Sequence, residues 1–370
     1  MKNTYKDAGY TYTINRLKET ARTFRNLGDA YGETNQKQTG FKRQLILAAD
    51  ILEECVAMNL DAKSPDKQER REFERKCMAM GISVKDIKLV DGKRREILVT
   101  AKTFMKGCVS ERVLRETVSS VFKAKFFSNQ DNRVIINEEP DQYVFYQENR
   151  FRILSGMARK CKEEENTSGD NFLLKKLNCG KMVAAIADGC GSGKRAFAES
   201  RMVIELMENC IEAGFEEKTA IDLINSAYIA GTTFNNPVTM DMSIIDCQAG
   251  VINCIKLGAV STFIKRDNWV EIIKSTTLPM GVLEQVDYYC TTKKLYDGNY
   301  IIMISDGVLD NLSGINKEEQ MVEIINNINV KKPAGIAKKI LEESLKNNNM
   351  EAFDDCTVMV LGVFDTYVNV

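Results

Sequence analysis

Residues 182–194 read Met-Val-Ala-Ala-Ile-Ala-Asp-Gly-Cys-Gly-Ser-Gly-Lys. The short apolar run from Val183 to Ala187 predicts a buried strand, which ends on the acid Asp188 followed by Gly189. The glycines that come next favour a loop that opens a helix. The stretch therefore predicts a strand, a loop and a helix, with a carboxylate at the C-terminal end of the strand.

This glycine-rich loop does not match a nucleotide-binding P-loop. A P-loop has four residues between its first glycine and the Gly-Lys pair, and Ser or Thr follows the lysine. Here only residues 190–192 separate Gly189 from Gly193, and Arg195 follows Lys194. Either the loop amides and Lys194 contact an anion such as phosphate, or the lysine is simply solvated.

Two further acidic motifs adjoin apolar runs. Asp306 follows the run 301–305 and precedes Gly307, whereas Asp354 and Asp355 come just before another apolar run. If the last strand is antiparallel to the other two, all these carboxylates meet at one sheet edge. Because clustered carboxylates repel each other, a hard divalent cation such as Mg²⁺ or Mn²⁺ would stabilise them. A glycine after the acid lets a backbone carbonyl approach the ion.

The residues alone leave an alternative open. Asp-Gly is a common turn dipeptide, and Asp91-Gly92 and Asp297-Gly298 are expected to be plain turns. The joint pattern is equally consistent with a metal site and with salt-bridged acids at strand ends. Asp241, within a predicted strand, is expected to be structural.

The composition narrows the possible chemistry. The 370 residues include no histidine, which excludes Ser-His-Asp and Cys-His catalysis and His-based zinc sites. Eleven cysteines without a C-x-x-C pair favour reduced thiols in the cytoplasm over a disulfide framework. A formal net charge of -1 gives no case for a nucleic-acid partner, and no apolar run approaches the roughly 20 residues that span a bilayer.

The pattern of apolar and charged residues along the chain predicts three structural parts. Residues 1–75 are expected to be a helical leader, 76–140 a small α/β regulatory domain and 141–370 a larger domain. Ser64-Pro65-Asp66 predicts a break followed by a new helix, and the stretch from Tyr143 to Leu154 is expected to be a strand. The apolar stripe from Leu45 to Leu60 in the leader predicts either intramolecular packing or a dimer seam.

In the larger domain, strands and helices are grouped rather than strictly alternating, which favours an α+β sandwich. The predicted strands include 251–257 and 300–304, and the predicted helices include 195–213, 317–328 and 333–346.

Six motifs in order resemble the metal-dependent protein phosphatases of the phosphatase 2C class, and among them the stage II sporulation protein E phosphatases. They are Ser168-Gly-Asp170, Ala187-Asp-Gly-Cys-Gly-Ser-Gly193, Thr239-Met-Asp-Met-Ser243, Leu278-Pro-Met-Gly281, Ser305-Asp-Gly307 and Asp354-Asp-Cys-Thr357. The segment Ile221 to Ser226 is also typical of them. The resemblance implies a β-sandwich flanked by helices, preceded by a helix and a small α/β regulatory unit.

The resemblance also implies a site with two Mn²⁺ or Mg²⁺ ions. Asp188 would bridge both ions, and Asp306 and Asp354 would complete a catalytic set of three aspartates. The other implied metal-binding positions are the Gly189 carbonyl, Asp170 through water, and Asp310. Lys194 is the candidate for contact with the substrate.

The function implied by the resemblance is hydrolysis of phosphoserine or phosphothreonine. The substrate would be a phosphorylated anti-sigma-factor antagonist, whose dephosphorylation activates a sporulation sigma factor in the cytoplasm. Membrane attachment would come only through an N-terminal region that this sequence does not contain. The alternative is a regulatory, dimerising interaction module, a homodimer in which the N-terminal helix gates the phosphatase domain.

Overall fold

The computed structural model describes the greater part of the chain. The described residues are 16–26, 45–53, 62–91, 95–104, 107–129, 131–163, 167–177, 180–191, 193–230 and 236–366.

A small α/β unit forms the N-terminal part of the described structure. Its five-stranded sheet has the order β1-β2-β3-β7-β5, and β4 pairs with β6 beside it. The strands are β1 (Ala62–Lys63), β2 (Ile82–Asp91), β3 (Arg95–Thr103), β4 (Val109–Ser110), β5 (Phe126–Ser128), β6 (Ile135–Ile136) and β7 (Asp141–Gln147). Two helices, α3 (Lys67–Ala79) and α4 (Glu111–Val121), pack against this sheet.

The leader contributes two short helices, α1 (16–26) and α2 (45–53). Arg25 joins them through ion pairs of 2.8 Å to Asp50 and Glu53. The C-terminal part of the predicted stripe, from Val56 to Leu60, lies outside the described residues. No helix in the part of the chain that the structure describes is long and apolar enough to cross a bilayer.

The predicted helix start after Ser64-Pro65 is confirmed. Asp66 caps α3, since its carboxylate accepts hydrogen bonds from the backbone N–H groups of Gln68 and Glu69. This helix crosses the predicted 75/76 boundary and buries Phe73 against the sheet of the α/β unit.

The larger part of the chain is a sandwich of two five-stranded antiparallel sheets. The first sheet has the order β15-β12-β11-β10-β9 and the second β14-β13-β16-β17-β8. The strands are β8 (Phe151–Lys160), β9 (Asp170–Lys176), β10 (Lys181–Gly189), β11 (Val238–Asp246), β12 (Val251–Leu257), β13 (Thr262–Lys265), β14 (Val270–Ile273), β15 (Tyr289–Lys294), β16 (Tyr300–Ile304) and β17 (Cys356–Asp365).

Helices cover both outer faces of the sandwich. One apolar core lies between the two sheets, and two others lie between a sheet and its helices. The helices are α5 (Gly193–Glu212) and α6 (Glu217–Ala230) on the first sheet, and α7 (Asp306–Asp310), α8 (Lys317–Asn327) and α9 (Pro333–Leu345) on the second. The predicted α+β sandwich flanked by helices is confirmed.

One predicted strand, Tyr143 to Leu154, is two strands in two sheets. β7 pairs with β3 of the α/β unit, whereas β8 pairs with β17 of the sandwich. Between them lies the buried Asn149, whose side-chain amide donates a hydrogen bond to the Gly180 carbonyl (3.2 Å). β7 thus belongs to the sheet of the α/β unit, although it follows the predicted 140/141 boundary. The division into functional domains stays a prediction.

Candidate metal centre

Two aspartates lie side by side at one end of the first sheet. Asp188 is near the C-terminal end of β10, and its register partner on β9 is Asp170. Directly opposite residues of antiparallel strands share a face, so both carboxylates belong to the same end of the sandwich. Burial of Asp170 is almost complete, with 1% of its surface exposed.

The second sheet brings its own acids to this end. Asp306 is the first residue of α7, directly after β16, and Asp354 and Asp355 precede β17, which is antiparallel to β16. The prediction that all these carboxylates meet at one edge of a single sheet is therefore wrong. Because β10 and β16 belong to different sheets, the aspartates meet across the sandwich rather than along a single edge.

The carboxylates act on one another electrostatically. Burial, and then the charges of Asp170, Asp306, Asp354 and Asp355, raise the pKa of Asp188 to about 9. Burial also raises the pKa of Asp306, to which the charge of Asp354 adds. Such shifts indicate several like charges in a poorly solvated place, an arrangement that a bound cation stabilises.

Asp170 is the least satisfied of these side chains. Neither of its carboxylate oxygens has a hydrogen-bond partner within normal distance. Burial raises its pKa to about 7, and the nearby hydroxyls of Thr357 and Ser305 offset only part of that rise. Two buried, unpaired anionic oxygens are costly for a folded protein, so they point to a ligand with positive charge.

The glycines after Asp188 and Asp306 permit close approach of two backbones. A Cβ on Gly189 would overlap the backbone of Ala196 in α5, and one on Gly307 would overlap the carbonyl of Asp355. The close approach in the structure is therefore to other backbone segments, which bring α5 and α7 next to the acids. An approach of the Gly189 carbonyl to an ion stays a prediction.

Two residues position the acids. The sequence had indicated Asp355 only as a neighbouring acid of Asp354, and it had not indicated Arg159. Asp355 accepts hydrogen bonds from the backbone N–H groups of Gly169 (2.6 Å) and Lys162 (3.0 Å), and so holds the segment that leads to Asp170. Arg159 donates to the Asp170 carbonyl (2.6 Å) and to the Thr357 hydroxyl (3.2 Å), linking the edge strands of the two sheets. Asp355 did carry a signal, as the neighbour of Asp354.

The remaining candidates have no described hydrogen bond to the aspartates of the site. Asp310, at the end of α7, forms a 2.7 Å ion pair with Lys317, and its charge contributes to the raised pKa of Asp306. Lys194 is exposed in the first turn of α5, and no described contact joins it to the aspartates. The structural expectation for Asp241 fits its buried ion pair with Lys256.

The donor set suits a hard divalent cation. Carboxylate oxygens are the ligands that Mg²⁺ and Mn²⁺ prefer. Among the described residues, however, no three His, Cys, Asp or Glu side chains are placed so that they could hold one ion. The fit therefore rests on the shared location, the mutual repulsion and the unpaired oxygens of Asp170, and the assignment of individual ligands stays a prediction.

The segment Ile221 to Ser226 also has a physical role. Asn225, buried on α6, accepts a hydrogen bond from the Gly281 N–H (2.9 Å) and donates to the carbonyls of Leu283 (2.9 Å) and Glu284 (3.3 Å). It thereby ties the Leu278-Pro-Met-Gly281 motif to α6. The adjacent Met280 forms a bridge with Val238, the register partner of Gly189, so this contact supports the backbone next to the site.

Asn225→Ala is expected to lower the free energy of unfolding by about 1–3 kcal/mol, because it removes three part-buried hydrogen bonds between a buried side chain and the backbone. Urea denaturation followed by the fluorescence of Trp269, the single tryptophan of the chain, measures this in the sandwich. Asn326→Ala, at an exposed position of α8, is the matched control. Equal unfolding midpoints for the two variants would contradict the anchoring role.

The two face-to-face sheets, the outer helices and the aspartates at one end define the class of PP2C-type protein serine/threonine phosphatases, which are hydrolases. Within that class the chain belongs to the stage II sporulation protein E family, whose family model matches residues 178–364.

Individual relatives agree with this membership. The chain is 30% identical to stage II sporulation protein E of Bacillus subtilis (strain 168) over 258 residues, which are 69% of this chain and 31% of that protein. It is 34% identical to the Priestia megaterium protein over 211 residues, 57% of this chain and 36% of that protein. The chain thus spans about a third of the length of these curated relatives.

The similarity to one solved structure covers more of the chain than the family model does. That structure contains the PP2C phosphatase domain and a fragment of the regulatory domain of SpoIIE from Bacillus subtilis, at 26% identity and a TM-score of 0.62. The match covers 90% of this chain and 99% of that one. The resemblance to this phosphatase family is confirmed.

Proposed function

We propose that this chain is a phosphoprotein phosphatase that hydrolyses phosphoserine or phosphothreonine with the help of two Mn²⁺ or Mg²⁺ ions. The observation that carries the proposal is the meeting of Asp170, Asp188, Asp306 and Asp354 across one end of the sandwich, where their charges act on one another. When bound there, the cations supply charge that activates water and neutralises the phosphoryl oxygens.

The proposed roles of the chain's own residues follow from their places. Asp188, Asp306 and Asp354 hold the ions from both sheets, with the Gly189 carbonyl and Asp170 beside them. Asp310 is proposed as a further ligand, although its carboxylate would then have to leave Lys317. Lys194, exposed in the first turn of α5, is proposed to contact the substrate phosphate.

The proposed substrate is a phosphorylated anti-sigma-factor antagonist, and its dephosphorylation would activate a sporulation sigma factor in the cytoplasm. Membership of the stage II sporulation protein E family supports this proposal. A homodimer gated by the N-terminal helix is the accompanying proposal about regulation. It is supported by the α/β unit and the leader, which precede the sandwich and contribute none of its aspartates.

The test is Mn²⁺-dependent dephosphorylation by the full chain. Wild-type protein is expected to hydrolyse p-nitrophenyl phosphate and a phosphorylated antagonist protein, and Asp306→Asn to lower kcat/KM for both by at least about a hundredfold, because a ligand of the ions is lost. Titration calorimetry with Mn²⁺ should show a matching loss of affinity.

Asp267→Asn is the control, because it makes the same change at an exposed turn between β13 and β14. Full activity of Asp306→Asn would refute the metal site. Hydrolysis of p-nitrophenyl phosphate without hydrolysis of the antagonist would refute the substrate and leave the chemistry intact.

A further inference from the structure

A strained loop precedes the acid pair of the site. Residues 349–353, the Phe353 loop, connect a 3₁₀ turn (Lys346–Asn348) to Asp354. Asn349 and Met350 have consecutive positive φ angles of 52° and 67°. Asparagine adopts this conformation readily, whereas for a methionine side chain it is unfavourable. Such strain persists only where the surroundings hold the backbone in place.

Specific contacts hold this loop in place. The Lys160 ammonium group donates a hydrogen bond to the Met350 carbonyl, and the Glu163 N–H donates to the Ala352 carbonyl at 3.2 Å. The Ala352 side chain is buried in the core beneath the second sheet. The backbone of the loop is therefore fixed to β8 and to the residues that follow it.

The two large apolar side chains of the loop nevertheless face outward. Phe353 is 62% exposed and Met350 is 44% exposed. Exposing an aromatic ring on a rigid backbone forgoes the gain from its burial, and such surfaces commonly mark interaction sites. Phe353 is directly bonded to Asp354, so this apolar surface adjoins the acid pair along the chain.

Positive charge lies on the neighbouring strand. Arg159 and Lys160 occupy adjacent positions near the end of β8, and their register partners are Thr357 and Cys356, just after the acid pair. The Arg159 guanidinium stacks on the exposed Phe172 ring, 5.5 Å from its centroid. A phosphorylated, hence acidic, segment that approaches this edge meets complementary charge beside an apolar surface.

We propose that Met350 and Phe353 bind an apolar side chain that flanks the phosphorylated residue of a protein substrate. The proposal rests on the proposed phosphatase function and adds a sequence preference to it. A phosphoserine bound at the aspartates places its neighbouring residues next to Asp354, where the fixed loop offers the Phe353 ring and the Met350 thioether. A flanking aliphatic side chain buries its surface there.

The test uses two short synthetic phosphoserine peptides that differ only in leucine or glycine on either side of the phosphoserine. In Mn²⁺, the full-length wild type is expected to have about tenfold higher kcat/KM for the leucine peptide, since burial of one aliphatic side chain has that magnitude. Phe353→Ser is expected to lose this preference, while its hydrolysis of p-nitrophenyl phosphate stays within about twofold of wild type.

Two further variants sharpen the test. Met350→Asn removes the thioether while accepting the positive φ angle, so it should weaken the preference without loss of stability. Tyr296→Ser is the control, because Tyr296 is 58% exposed but precedes β16, at the opposite end of that strand from Asp306. It should keep the preference.

Three outcomes overturn the proposal. They are a wild type without preference for leucine, a Phe353→Ser protein that keeps the preference, and an equal loss on all substrates, which would make Phe353 a mere support for Asp354. If p-nitrophenyl phosphate is hydrolysed but neither peptide is, the loop proposal fails while the chemistry stands. If nothing is hydrolysed in Mn²⁺, the proposed function itself fails.

Discussion

In a chelating buffer, the Asp188→Asn protein is expected to be more stable than the wild type, although it has lost at least about a hundredfold in phosphatase activity. The reason lies in the raised pKa of Asp188, about 9 in the folded chain against 3.8 as the ordinary value. The folded protein disfavours the charged form, so ionisation in the unfolded state draws the equilibrium toward unfolding. Asparagine has nearly the same shape and carries no charge.

The pH dependence of this gain has a definite sign. Below pH 3.8 the carboxyl is neutral in both states, and the two proteins should have equal stability apart from the shape of the side chain. As the pH rises above 3.8, the unfolded wild type gains charge first, and the advantage of Asp188→Asn grows until about pH 9. Near pH 7 we expect an advantage of roughly 2–4 kcal/mol.

Urea denaturation at pH 5 and pH 8 with EDTA, followed by Trp269 fluorescence, measures this gain. Addition of Mn²⁺ should reverse the order, because a cation that binds only the folded wild type stabilises it by mass action. Asp131→Asn, at an exposed position of the α/β unit, is the charge-matched control. It should have the stability of the wild type both in EDTA and in Mn²⁺. A less stable Asp188→Asn protein in EDTA at both pH values would contradict repulsion among the aspartates.

Local patterns predicted much of the sandwich. The apolar runs for β12 and β16 coincide with the observed strands, and the helices α5, α8 and α9 begin or end within two residues of the predicted bounds. These segments are long or continuously apolar, so the pattern of apolar residues is enough to predict them. β9 and α7 were not predicted. β9 is an edge strand with four polar or charged residues among seven, and α7 is only five residues long.

Which sheet each strand joins was beyond the local pattern. The apolar runs predict that β10 and β16 are buried strands. Nothing within either run indicates that the two strands belong to opposite sheets. The contacts of Asp355 and Arg159 were missed for a related reason, since they join residues far apart in the chain. By contrast, Asp188, Asp306 and Asp354 could be proposed from the sequence because each adjoins a recognisable apolar run, whereas Asp170 was proposed only from the resemblance to the phosphatase motifs.

The largest expected loss of stability comes from breaking the buried ion pair of Asp241 and Lys256, which are register partners on β11 and β12 of the first sheet. The Lys256 ammonium group lies 2.8 Å from the Asp241 carboxylate, and both side chains are almost completely buried. The same ammonium group donates to the Thr262 hydroxyl (2.8 Å) and to the Val260 carbonyl (2.6 Å). Thr262 belongs to the second sheet and also donates to Asp241, so this network joins the two sheets inside the sandwich.

Lys256→Met is expected to lower the free energy of unfolding by about 3–5 kcal/mol, because it leaves the Asp241 charge buried without its partner. Oδ1 of that carboxylate already lacks a hydrogen bond, so little remains to compensate the charge. Trp269, between β13 and β14, reports on unfolding close to this network. Lys338→Met, at an exposed position of α9, changes the same charge at the surface and should cost less than about 1 kcal/mol.

The double variant Asp241→Leu with Lys256→Met separates the charge from the packing. It removes both charges together and replaces them with apolar groups, so it should recover at least half of the stability lost in Lys256→Met. Full recovery is not expected, since the Val260 carbonyl and the Thr262 hydroxyl also lose the ammonium group. If the double variant is no more stable than Lys256→Met, the network stabilises the sandwich through its hydrogen bonds to the second sheet, and the unpaired charge is not what unfolds the single variant.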